Sequence, residues 1–130
     1  MISKKSVTNY KIKPAFTDAR GHIFDIVEEP VSHVGLITFK KGAIRGNHYH
    51  KKSTQYSYIL KGRVKFVVAD IHGKNKKTFI IKEGTVSRIP PRMIHAYKAL
   101  TPAAMLDITT LVRGVAKRYE DDTVRVTILS

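Results

Sequence analysis

GAIRGNHYHKKSTQYSYILKG, residues 42–62, is the stretch that decides how this chain folds. It opens and closes on glycine and carries His48 and His50 one residue apart, with Gln55 downstream. Side chains alternate along a strand, so histidines at i and i+2 share one face. A second stretch, GTVSRIPPRMIH at residues 84–95, supplies Gly84, Pro90 and His95 and can return to that face. Three of the six histidines are thereby gathered at what reads as one interior site. Converging imidazoles serve as metal ligands or as acid–base groups, and little else in the sequence points to chemistry.

Working outward, the chain reads as short strands separated by turns. β-branched enrichment or alternation marks residues 22–27, 34–39, 56–60, 64–70, 78–81, 86–89, 105–111 and 124–129. Turn signals fall between them at Lys41-Gly42, Lys61-Gly62, His72-Gly73, Glu83-Gly84 and Thr101-Pro102. No convincing amphipathic helix is present, and residues 115–122 make at most one or two turns. Short, evenly spaced strands of this kind predict an all-β sandwich or small barrel. Gly42, Gly62 and Gly84 read as turn formers that permit positive φ, not as phosphate cradles.

At 130 residues the chain is expected to form one domain over 1–130, large enough for a core without staples. It has no cysteine, which excludes disulfides and thiolate zinc sites. The N-terminus lacks the apolar run of a signal peptide, and no stretch reaches membrane-spanning length. A cytoplasmic protein with no membrane partner is the expectation. The charge is lopsided: 24 Lys plus Arg against 10 Asp plus Glu give +14, and residues 30–69 contain no acid at all. Such a field attracts anions. Nucleic acid is not the expected partner, because no helix-turn-helix, zinc-finger or RNP-like pattern occurs.

These residues make the sequence similar to the cupins, which are small double-stranded jelly-roll barrels. The first motif matches as Gly42, His48-Tyr49-His50, Gln55 and Gly62; the second as Gly84, Pro90 and His95, with Arg92 where the family prefers glycine. In metal-binding cupins the positions matching His48, His50, Gln55 and His95 carry the ligands, usually three His and one Glu. Here Gln55 replaces the carboxylate and brings no charge to offset a cation. The resemblance therefore implies either a divalent metal (Zn, Fe, Ni or Mn) on this set or a site that works without one.

A closer likeness lies in Arg45-Gly46-Asn47-His48-Tyr49-His50-Lys51-Lys52 followed by Gln55. It resembles the cupins that isomerise nucleotide-linked 4-keto-6-deoxy sugars, the 3,4-ketoisomerases, as do Pro90-Pro91, His95 and the apolar residues 103–110. Asp18-Ala19-Arg20-Gly21 is similar to the Asp-x-Arg-Gly of the related dTDP-sugar 3,5-epimerases. The resemblance implies proton transfer beside a sugar carbonyl with no cofactor required. His48 and His50 are then the candidate acid–base groups, a role suited to a side chain titrating near neutrality. Arg45, Lys51, Arg20 and Arg92 are candidates to hold the diphosphate, Arg giving bidentate contacts. Gln55, His95 and Tyr97 are candidates for substrate contact, Tyr97 as a donor at the mouth.

Three readings follow from the sequence: a sugar-nucleotide isomerase or epimerase for polysaccharide precursors, a metal cupin with small-molecule activity, and a non-catalytic ligand-binding cupin. His22, His33 and His72 are read as wall or surface residues. Tyr56, Tyr58 and Phe66 are read as core or interface packing, and Tyr49 as facing away from the histidines. A homodimer is expected, because small jelly rolls leave sheet edges to cover.

Overall fold

The computed structural model describes residues 6–110 and 121–130, which form twelve strands. Ten of them build two five-stranded antiparallel sheets. The first is ordered β1 (Thr8–Lys11), β9 (Thr85–Ile89), β6 (Gln55–Lys61), β11 (Ala103–Thr109) and β4 (His33–Phe39). The second is ordered β12 (Thr123–Arg125), β5 (Ile44–His50), β10 (Met93–Ala99), β7 (Arg63–Asp70) and β8 (Lys77–Lys82). A separate hairpin pairs β2 (Phe16–Asp18) with β3 (Gly21–Ile23). From β4 to β12, consecutive strands cross between the sheets except at the β7–β8 hairpin, so the two inner faces close on each other as a jelly roll. No helix among the described residues is long and apolar enough to cross a membrane.

The alternation predicted from sequence sets which side chains face in. Val64, Phe66 and Val68 of β7 meet Ile59, Met105, Phe39 and Tyr97 in the main apolar cluster. The expected strands over 34–39, 56–60, 64–70, 78–81 and 86–89 lie within β4, β6, β7, β8 and β9. Three others differ. Pairing over 22–27 stops at Ile23, because Ile26 and Val27 bury against Tyr56, Val86 and Ile108 on the outer face of the first sheet. Pairing over 124–129 stops at Arg125, beyond which the Asn47 side chain takes the backbone N–H groups of Ile128 and Leu129. The strand expected at 105–111 runs from Ala103 to Thr109. β1 and β2 carry too little apolar periodicity to be seen in advance, and the turns expected at 115–122 fall largely outside the described residues.

One irregularity matters for function. Gly46 and Asn47 both have positive φ (89° and 57°), and the β5–β10 register skips Asn47, pairing His48 with His95 and Gly46 with Ala96. This is a β-bulge. Residues three apart on a regular strand face opposite ways; the extra residue lets Arg45 and His48 both face the interior. A Cβ on Gly46 would lie 2.8 Å from the His95 carbonyl oxygen, so only glycine fits this bulge.

Gly42, Gly62 and Gly84 take positive φ, as expected of turn formers. Gly62 is the tightest: at φ 88°, an added Cβ would sit 2.4 Å from the Pro102 carbonyl oxygen and 2.8 Å from Ala103 Cα. Gly62→Ala is therefore expected to destabilise the fold by about 2–4 kcal/mol, from left-handed backbone strain plus overpacking. Urea unfolding at unchanged m-value checks this.

Candidate active site

The second sheet delivers the histidines. His48 and His50 from β5 and His95 from β10 bring their rings together, with centroids 5.0 Å (His48–His50), 4.7 Å (His48–His95) and 5.5 Å (His50–His95) apart. One nitrogen from each lies within 4.8 Å of the others. Facing them, the first sheet contributes Gln55 and Ser57 from β6 and Asp107 and Thr109 from β11, all buried. Across β6 and β11, Gln55 stands opposite Thr109 and Ser57 opposite Asp107, so the four form two polar rungs.

Hydrogen bonds tie the halves together. His50 Nε2–H donates to Gln55 Oε1 at 2.9 Å, and Gln55 Nε2 donates to the Tyr97 hydroxyl at 3.4 Å. The Tyr97 hydroxyl in turn bonds Ser57 Oγ at 2.5 Å. On its other side His50 Nδ1 meets Thr123 Oγ1 at 3.4 Å and Asp122 Oδ2 at 3.6 Å. Asp122 is buried and also accepts from the backbone N–H groups of Lys52 (2.7 Å) and Ser53 (3.3 Å), fixing the turn after the His-Tyr-His run.

His95 is wholly enclosed. Its Nδ1–H donates to the Met93 carbonyl at 3.0 Å, while Nε2 is buried with no hydrogen-bond partner. Burial, reinforced by His48 and His50, pushes its pKa well below the ordinary value of 6.5.

A cavity of about 340 Å³ opens beside this network, within the size range of small-molecule sites. His48, Gln55, Tyr97 and Asp107 form its polar wall, Ile37 and Met105 its apolar side, and Arg45 and Arg125 stand at its exposed rim. Arg45 is steadied over the Phe39 ring, 5.5 Å from its centroid, and donates to the Thr38 carbonyl at 3.1 Å.

The structure thus brings His48, His50, His95, Gln55, Tyr97 and Arg45 to one place. Of the three histidines only His48 lines the cavity; His50 and His95 lie behind it. Tyr97 is in the buried wall rather than at the mouth. Three expected anion contacts are elsewhere. Arg20 sits on the β2–β3 turn and pairs with Asp18 at 2.6 Å. Arg92 is exposed at φ 65°, a left-handed position that explains the family's preference for glycine there. Lys51 is exposed and contributes its backbone N–H to the Asp122 carbonyl.

Among the site residues that sequence reasoning missed, three are charged. Asp107 is the one charge in an otherwise apolar strand, which was the available signal. Arg125 is brought to the rim by β12 pairing with His48, and Asp122 lies in an acidic run that reads as surface. A resident divalent ion would fall to His48, His50 and His95. His95 Nε2 suits that role, but His50 Nε2 is committed to Gln55 and no carboxylate joins the set. These residues do not fit a metal centre as arranged.

The chain belongs to the cupin family: the cupin domain profile matches residues 35–109, more than half of its length. Its fold is shared with enzymes of nucleotide-sugar metabolism. The sugar 3,4-ketoisomerase QdtA from Thermoanaerobacterium thermosaccharolyticum, solved with TDP, is 24% identical over 92% of this chain and 87% of its own, with a TM-score of 0.74. The dTDP-4-dehydrorhamnose 3,5-epimerase from Sulfolobus tokodaii is 18% identical over 94% and 77%, at 0.74. The TDP-fucose-3,4-ketoisomerase WlaRA from Campylobacter jejuni is 17% identical over 91% and 87%, at 0.73. Among proteins with curated functions, none matches the sequence.

The enclosure of His95 has a measurable consequence. Its folded pKa lies below the unfolded value, so below about pH 6.5 the unfolded chain binds a proton that the folded chain refuses. Stability is full above that pH and falls on acidification, by up to about 1.4 kcal/mol per pH unit from this one group. Urea titrations from neutral to mildly acidic pH are expected to show this slope, reduced in His95→Gln.

Proposed function

We propose that this cupin isomerises or epimerises a TDP-linked 4-keto-6-deoxy sugar. The observation that carries the reading is a cavity with His48, Gln55 and Tyr97 on its wall and Arg45 and Arg125 at its rim. Solved structures of the same fold add support. One holds QdtA with histidine replaced by asparagine, in complex with TDP-4-keto-6-deoxyglucose.

In this reading the two rim arginines hold the diphosphate, and the sugar lies inward against His48. The His48 imidazole removes the proton from C3, beside the C4 carbonyl, and the electron pair becomes an enediolate. Negative charge developing on the carbonyl oxygen is met by the Tyr97 hydroxyl, which Ser57 and Gln55 hold in place. Returning the proton to C4, while the C3 hydroxyl proton passes to the C4 oxygen, leaves a ketone at C3 and a hydroxyl at C4. His50 and His95 position the His48 ring. Lys51, Arg20 and Arg92 take no part, since none lines the cavity.

Incubation with TDP-4-keto-6-deoxyglucose in heavy water is expected to give a 3-keto product with deuterium at the reprotonated carbon, read by NMR. His48→Asn is expected to lower kcat by about 10²–10⁴ and to leave KM within about threefold. TDP binding without turnover or exchange would replace this reading with a ligand-binding cupin. About one metal ion per chain, lost in His48→Ala, would replace it with a metal cupin. The reading includes a homodimer that covers the outer face of β4, where Val34 and Leu36 are 58% and 64% exposed. Light scattering is expected to give twice the chain mass, and a monomer would remove that part.

A further inference from the structure

The outer face of the second sheet is divided. At one end Val67 and Ala96 are covered by Ile128 and Leu129, which Asn47 holds in place. The other end is cationic. Because Val64, Phe66, Ile81 and Tyr97 face the core, their neighbours Arg63, Lys65, Ile80, Lys82 and Lys98 face outward. The register sets Ile44, Lys98, Lys65 and Ile80 side by side across β5, β10, β7 and β8, and Arg63 opposite Lys82 on the next rung.

Like charges directly opposite each other on a sheet repel. Here two such pairs, Lys65–Lys98 and Arg63–Lys82, are adjacent. Among the described residues the salt bridges are Arg20–Asp18 and His50–Asp122, so none of the four cations has an acidic partner there. Lysine on an edge strand guards against edge-to-edge pairing, and that accounts for Lys82 on β8. It does not account for Arg63, Lys65 and Lys98, which sit on the interior strands β7 and β10.

We propose that this face docks the protein on an anionic lipid bilayer. Charge complementarity selects an anionic partner. The two isoleucines that end the rung, Ile44 at 36% and Ile80 at 53% exposure, select a bilayer among anions. The lysines meet lipid phosphates while the isoleucines enter the interfacial layer, a division of labour typical of peripheral membrane surfaces. Among the described residues the patch has no aromatic side chain to stack a base, and it lies on a sheet face rather than on an element that enters a groove. The sequence expectation of no membrane partner rested on the lack of a spanning stretch, which a peripheral contact does not need. Ile44 also borders the cavity, so docking would place the rim arginines next to the lipid surface.

Vesicle co-sedimentation tests this. The protein is expected to sediment with phosphatidylcholine vesicles containing about 30% phosphatidylserine and to stay in solution with pure phosphatidylcholine. Changing Arg63, Lys65, Lys82 and Lys98 together to Gln is expected to weaken binding at least about a hundredfold, at roughly fivefold per charge. Changing Lys11, Lys13, Lys74 and Lys76 to Gln lowers the net charge equally and is expected to cost less than about threefold. Ile80→Ser, with the charges intact, is expected to weaken vesicle binding severalfold; unfolding temperatures confirm that each variant is folded. Equal loss in both charge variants would reduce the effect to net charge and overturn the proposal. So would equal binding to neutral vesicles, no binding to either, or a single-stranded oligonucleotide whose binding the patch variant abolishes while vesicle binding persists.

Discussion

The structure turns on one close approach, that of the Gly46 backbone to the carbonyl of His95. With no side chain at Gly46, β5 can bulge by one residue against β10, and two consequences follow at once. Arg45 and His48 come to share the interior face, which joins a cation to an imidazole at the same cavity. Asn47, displaced from the ladder, turns its amide outward. Its oxygen accepts from the Ile128 and Leu129 N–H groups and its nitrogen donates to the Leu129 carbonyl at 2.9 Å. That clasp holds the chain beyond β12, and β12 carries Arg125 to the rim beside His48.

The barrel interior is divided between stability and chemistry. Phe39, Ile59, Phe66 and Met105 fill one part with close-packed apolar volume, the term that dominates folding. The other part buries imidazole, amide, hydroxyl and carboxyl groups, each costly unless bonded. The run from Asp122 and Thr123 through His50, Gln55 and Tyr97 to Ser57 offsets that cost and fixes each donor and acceptor. At His95 one ring nitrogen is bonded and the other is not, and burial disfavours its charged form. A wall built this way is held in one shape by its own hydrogen bonds.

The sequence disclosed the site's nucleus because His48, His50, Gln55 and His95 stand at spacings that a period of two converts directly into a common face. It disclosed the inner strands of each sheet for the same reason. It concealed what depends on backbone exceptions and distant pairing. Gly46-Asn47 looked like part of a motif, yet its value lies in positive φ, which breaks the very alternation used to find strands. Arg20 looked like an anion contact by analogy, while Asp18 two residues earlier claims it. Asp107 and Asp122 were hidden in opposite ways, one by an apolar strand and the other by an acidic run. Neither context reveals that the fold carries these carboxylates to the site.

The Asn47 clasp also bears on the order of assembly. Asn47 and Leu129 are 82 residues apart in sequence, so this contact closes one of the longest loops in the fold. Loop closure of that length delays formation relative to hairpins such as β7–β8. The first sheet needs closures nearly as long, such as His33 with Thr109 and Thr8 with Arg88, so the clasp and the sheets both rest on distant parts of the chain meeting. The cavity's second cation, and the buried carboxylate beside His50, thus depend on long-range closure of the chain and not on any local hairpin.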